Sequence, residues 1–163
     1  IILYNFEKLS GYKFSVSCIE ELVKRFSQQI VGVKDSSYNL YENLRIANFA
    51  IFPGSELKLL KGLEIGCHGI ITATCNVTAE LSRKVYDDFL KKKQQIHNEK
   101  LCKIRSVFDQ FNLISGLHAF MSDEDITYKN LLPPLSILNN SDKKKLIGDL
   151  DKLNFNINTL KAA

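Results

Sequence analysis

Short apolar runs alternate with longer amphipathic segments along the first part of the chain. Ile1-Ile2-Leu3-Tyr4 reads as a strand, closed by Asn5-Phe6-Glu7-Lys8 and the Ser10-Gly11 breaker. Val16, Ile19, Leu22, Val23 and Phe26 then fall at spacings of three and four and predict an amphipathic helix. Ser15 is its cap, with Glu20-Glu21 early and Lys24-Arg25 late, as the helix dipole favours. Ile30 to Lys34 predicts a second strand, and Ser36-Ser37 lead into a short helical segment carrying Tyr38, Tyr41 and Leu44 before Asn48 interrupts. Phe49 to Phe52 is a third apolar run, stopped by Pro53-Gly54, with a helix from Ser55 to Glu64 after it. Ile70 to Ala73 predicts a fourth strand, and Thr78 caps a helix whose buried stripe is Leu81, Val85, Phe89 and Ile96.

Four strands, each followed by a helix, imply a parallel sheet with helical crossovers, an α/β fold. Beyond Asn98 the pattern is helical only: Leu101 to Phe111, Ser115 to Met121, a loop from Tyr128 to Pro134, and an amphipathic helix around Asp142 to Leu153. The expected organisation is a (βα)4 layer over residues 1–96 and a helical extension over 97–163 packing on its outside.

Composition narrows the function classes. With 163 residues and 45% hydrophobic content, the chain has material for one ordinary core. The net charge of +4 is only mildly basic, and the triplets Lys91-Lys92-Lys93 and Lys143-Lys144-Lys145 lack aromatic interleaving, so solvated helix faces are expected and no nucleic-acid partner. Cys18, Cys67, Cys75 and Cys102 form no C-x-x-C pair, and His68, His97 and His118 are scattered, which argues for reduced thiols and no metal site. Neither a membrane-length apolar run nor a basic-then-apolar leader occurs, so a soluble, cytoplasmic chain with no membrane contact is expected.

Ile30-Val31-Gly32-Val33-Lys34 then stands out. Parallel sheets carry their chemistry at the C-terminal ends of strands, where this run presents one amine. On composition alone, a charged residue closing a strand at the surface explains Lys34 as well. In apolar surroundings a lysine gives up its proton more readily, and the neutral amine attacks a ketone to form an imine. A tyrosine within reach can move the accompanying proton, and Tyr4, at the end of the first strand, is the candidate. Three weaker signals stay structural: Cys75 as a small filler, His118 as a packing residue, and Asp35, which either orients the strand end or faces solvent.

Leu3-Tyr4-Asn5-Phe6, Gly11, Val31-Gly32-Val33-Lys34-Asp35-Ser36-Ser37, Gly54, and Gly69 with Asn76 occur in one order. In this the chain resembles the family of dihydrodipicolinate synthase, N-acetylneuraminate lyase and 2-keto-3-deoxygluconate aldolase, class I Schiff-base enzymes on a TIM (β/α)8 barrel. The resemblance assigns the imine to Lys34, through the family's G-[IV]-K-[DE]-[ST] motif, and the proton relay to Tyr4, through Y-N-x-P. It places Gly54, Ser55, Glu56 and Ala73 at the substrate pocket. It implies no cofactor beyond the covalent imine and a 2-keto acid as substrate. The sugar-acid aldolases, which cleave 2-keto-3-deoxygluconate or its 6-phosphate to pyruvate and glyceraldehyde or its phosphate, are the nearest kind, with dihydrodipicolinate synthase close behind. Glu7 stands where the family has proline. The resemblance covers only strands five to eight and the C-terminal helices, half a barrel, without the G-T-T-G-E loop that binds the pyruvate carboxylate. A non-catalytic half-barrel is the competing reading. Either way a homo-oligomer is expected, as a half-barrel dimer or a pairing with an N-terminal half.

Overall fold

The computed structural model describes residues 1–157, so residues 158–163 of the expected helical extension lie outside the described residues. The chain divides into two compact units: Ile1–Thr72 with Tyr86–Gln94, and Ala73–Val85 with the described residues from Gln95 onward.

The first unit holds a parallel sheet of β1 (Ile2–Asn5), β2 (Gly32–Asp35) and β3 (Ala50–Pro53), in that spatial order. Its register aligns Tyr4 with Lys34 and Phe52, and Asn5 with Asp35 and Pro53. Strand side chains alternate between faces. Val33 and Ile51 therefore point, with Leu3, into a core completed by Ile19, Leu40, Leu44 and Phe49. Tyr4, Lys34 and Phe52 project from the other face. The short helix α1 (Glu7–Ser10) follows β1, and α2 (Val16–Arg25) begins at the expected cap, where Ser15 Oγ accepts the Cys18 amide at 3.1 Å.

Two expected elements are absent from this unit, each for a visible reason. The segment after Ser36-Ser37 is not helical. Tyr38 takes φ +58°, which breaks a helix in its first turn, and the amides of Tyr38, Leu40 and Tyr41 converge on the Asp35 carboxylate at 2.9–3.0 Å. Nor does Ile70–Ala73 form the fourth strand, so among the described residues the sheet has three strands rather than four. His68 N donates to Ile51 O (3.0 Å) and Ile71 N to Pro53 O (3.2 Å), three residues advancing against two on β3. Gly69, at φ +141°, absorbs the extra residue, and the Ile51 amide turns to His68 Nδ1 at 3.4 Å. This bulge-like mismatch prevents a regular ladder. A 3-10 turn (Glu56–Lys58) and α3 (Leu59–Glu64) occupy the expected helix after β3.

In the second unit, α4 (Cys75–Leu90, its last turn belonging to the first unit), α5 (Asn98–Phe108), α6 (Leu113–Met121), a 3-10 turn (Ile126–Lys129) and α7 (Asn140–Asp151) follow in order. Ile104, Phe108, Phe120, Leu146 and Leu150 form its core. Thr78 is not the cap of α4: it lies inside the helix, its hydroxyl donating to Thr74 O at 3.0 Å. Because α4 ends at Leu90, Ile96 leaves the expected stripe and is exposed, and Lys91–Lys93 lie beyond the helix instead of on its face. No helix among the described residues is long and apolar enough to cross a membrane.

One core residue carries a pH signature. Tyr41 is buried, and desolvation, then its hydrogen bond to Glu42 Oε1 (2.7 Å), push its phenol from 10.0 up to about 12. The folded state thus holds this proton more tightly than the unfolded chain. The associated stability is complete below pH 10 and is lost as pH rises toward 12. Denaturant titrations across that window are expected to show stability falling in the wild type and a shallower fall in Tyr41→Phe.

Candidate functional site

The alternation of β1 and β2 sets two rows at the C-terminal end of the sheet. On the face away from the first core, Tyr4 and Lys34 are register partners, and the Lys34 ammonium lies 4.1 Å from the centroid of the Tyr4 ring. An ammonium over an aromatic face is attracted by the ring quadrupole, so the pair is held by more than strand geometry. The Tyr4 ring is further braced by Phe6, with centroids 5.7 Å apart, and Phe52 follows Lys34 in the same row. Tyr4 remains 43% exposed and Lys34 is half-buried, so both are reachable from solvent.

On the core face, one residue further along each strand, Asn5 and Asp35 are fully buried. Asn5 Nδ2 donates to Asp35 Oδ1 and to Asn39 Oδ1, both at 2.8 Å. Asn5 Oδ1 accepts the Phe14 amide at 3.0 Å, and Asn39 Nδ2 donates to Phe14 O at 2.8 Å. Of the two readings of Asp35, burial decides against the solvent-facing one. The sequence carried a faint signal of this network: each candidate site residue is followed directly by a short polar side chain at a strand end, Tyr4-Asn5 and Lys34-Asp35.

The expected pocket residues divide between the units. Gly54 lies just past β3, its amide donating to Asp35 O at 2.9 Å. Ser55 is buried and its Oγ accepts the Leu57 amide at 3.3 Å, capping the 3-10 turn. Glu56 is fully buried, and its Oε2 accepts the Thr72 hydroxyl at 3.0 Å. Ala73 belongs to the second unit, where with Asn76, Val77, Leu117, His118 and Met121 it lines a cavity of about 250 Å³. His118 is satisfied as a packing residue, Nδ1 donating to Tyr128 O at 2.7 Å. Cys75 is half-buried with Sγ 3.5 Å from Ser82 Oγ, and burial pushes the Cys67 thiol up, which keeps it protonated. Among the described residues no three His, Cys, Asp or Glu side chains gather to hold a metal ion.

The profile of the dihydrodipicolinate synthetase family matches residues 1–153. The chain belongs to this family. A 4-hydroxy-tetrahydrodipicolinate synthase of Methanopyrus kandleri is 28% identical over 162 residues, covering 94% of this chain and 53% of that relative. A probable 2-dehydro-3-deoxy-D-pentonate aldolase of Escherichia coli K12 is 32% identical over 95 residues, 53% of this chain and 31% of that relative. The solved structure of YagE, an E. coli K12 prophage protein of the same family in complex with pyruvate, superposes with a TM-score of 0.76 at 21% identity, over 94% of this chain and 56% of that one. The chain thus shares the family's α/β fold and spans about half the length of the curated relatives it matches. Three parallel strands are consistent with part of a barrel.

Gly54 makes the approach of β3 to β2 testable. A Cβ there would lie 2.2 Å from Ser36 Oγ and 3.0 Å from Ser36 Cβ, both of which Ser36→Gly removes, and 3.1 Å from Ser36 Cα. Gly54→Ala is expected to destabilise by about 1–3 kcal/mol, read as a lower denaturation midpoint, and Ser36→Gly in the same chain should recover much of the loss.

Proposed function

We propose that this chain carries the imine-forming part of a class I Schiff-base lyase acting on a 2-keto acid. The observation that carries the reading is the register pairing of Tyr4 with Lys34, amine over ring at 4.1 Å, at the C-terminal end of a parallel sheet in a member of this family.

Lys34 Nζ attacks C2 of the keto acid, and the carbinolamine loses water to give a protonated imine. Breaking the C3–C4 bond sends its electron pair into the imine, giving an enamine, while the C4 hydroxyl loses its proton and leaves as an aldehyde. Tyr4 receives and passes on that proton. The enamine takes a proton at C3, and water then releases pyruvate and the free amine. No cofactor enters any step. The resemblance assigns Gly54, Ser55 and Glu56 of the first unit, and separately Ala73 of the second, to binding the rest of the substrate. A 2-keto-3-deoxy sugar acid, cleaved to pyruvate and glyceraldehyde or its phosphate, is the substrate we favour, and the pentonate aldolase supports it. The Methanopyrus kandleri synthase supports the second reading equally, condensation of pyruvate with aspartate semialdehyde on the same imine. Ile2 and Tyr4 are exposed on the face that bears Lys34, and among the described residues β1 has a ladder partner on one side only, which supports completion of the barrel by further strands.

Imine formation needs only the amine and the carbonyl, so it depends less on the rest of the barrel than turnover does. Borohydride reduction in the presence of pyruvate is expected to add one reduced-pyruvate mass to the chain, absent in Lys34→Ala. An unmodified wild type, or an adduct that survives Lys34→Ala, contradicts the proposal. Tyr4→Phe should retain the adduct while losing roughly 10²–10⁴-fold in turnover. Comparing cleavage of 2-keto-3-deoxygluconate with condensation of pyruvate and aspartate semialdehyde separates the two substrate readings.

A further inference from the structure

We infer that Asp35, held by Asn5, is the positioning residue of the lysine site, acting from the opposite face of the sheet. This rests on the reading of Lys34 as the imine-forming amine and adds what fixes that amine against Tyr4.

The Asp35 carboxylate is fully buried and takes two donors on each oxygen: Asn5 Nδ2 and the Tyr38 amide on Oδ1, the Leu40 and Tyr41 amides on Oδ2. A carboxylate is the side chain that can accept four N–H groups and donate none. Its own carbonyl accepts the Gly54 amide. Asp35 therefore ties the end of β2 to β1 through Asn5, to the segment after β2 through three amides, and to the end of β3 through its backbone. Lys34 is the adjacent residue, and Tyr4 is adjacent to Asn5. Any slip of Asp35 relative to Asn5 displaces both partners of the 4.1 Å amine–ring contact. Substituting asparagine would replace one accepting oxygen by an amide that points its own hydrogens at donors. The backbone ladder and the Ser36 amide on Asn5 O hold the same strand end, and the Asn5–Asp35 bond adds a side-chain link beside the amine and the ring.

The test reads the amine–ring geometry separately from imine chemistry. Reductive ¹³C-methylation leaves the lysines charged, and the Lys34 methyl resonance, assigned with Lys34→Arg, is expected upfield in the wild type and displaced from that position in Tyr4→Leu. Asp35→Asn is expected to move the resonance most of the way to its Tyr4→Leu position and to slow borohydride trapping by roughly tenfold to a hundredfold. Asn5→Ala, which leaves all three backbone donors on Asp35, is expected to act in the same direction and decides the matter should Asp35→Asn fail to fold. Leu22→Ala, which weakens the first core, should lower stability and leave the resonance in place. The inference is overturned if folded Asp35→Asn or Asn5→Ala keeps the wild-type resonance, if Leu22→Ala shifts it as far, or if the wild type shows no ring shift. A wild type that yields no pyruvate adduct while the resonance still follows Asp35 instead refutes the lysine's chemistry and leaves its positioning standing.

Discussion

The parallel register of the first two strands, set by their backbone ladder and joined on the core face by the Asn5 amide on the Asp35 carboxylate, is the constraint on which the candidate site depends. Strand geometry makes this unavoidable. Side chains alternate, so a clamp on the core face sets what stands opposite what on the other face. Asn5 opposite Asp35 means Tyr4 opposite Lys34. A polar pair this deep is stabilising only if its atoms are all engaged, and the Asp35 oxygens are, chiefly by backbone amides.

The same constraint explains what could be read from the sequence. Three of the strands were legible as apolar runs, displaced by a residue or two because their true ends are polar or proline: Asn5, Asp35 and Pro53 are strand residues with no apolar signature. Ser15 and the spacing from Val16 to Val23 identified α2, since a cap and a helical period act locally. The helix after Ser36 could not be excluded locally. Its apolar spacing is real, and Leu40, Tyr41 and Leu44 are buried, but Tyr38 takes φ +58° at its start, which hydrophobic spacing does not reveal. The fourth strand failed for a similar reason, because a left-handed glycine and a one-residue mismatch beside β3 are not visible in hydrophobicity.

Of the candidate site, Lys34 and Tyr4 were legible through their motifs, and the structure brings them together. The Asn5–Asp35–Asn39 network was signalled only faintly, by short polar residues at two strand ends, because each member is an ordinary polar residue until the fold buries it. The other residues expected at the pocket are built differently from one another: Ser55 caps a turn, Glu56 is held by Thr72, and Ala73 belongs to the other unit. Family membership brings the family's α/β fold to this arrangement, and the chain spans about half the length of its relatives. A covalent step that needs one amine is therefore the part of the chemistry to seek in this chain.

A crystal structure of the protein soaked with pyruvate tests the central claim most directly. Continuous density from Lys34 Nζ to C2 of the keto acid, with the Tyr4 phenol beside the new bond, is the predicted result. A free Lys34 amine, with pyruvate bound at another residue or through non-covalent contacts alone, would contradict it.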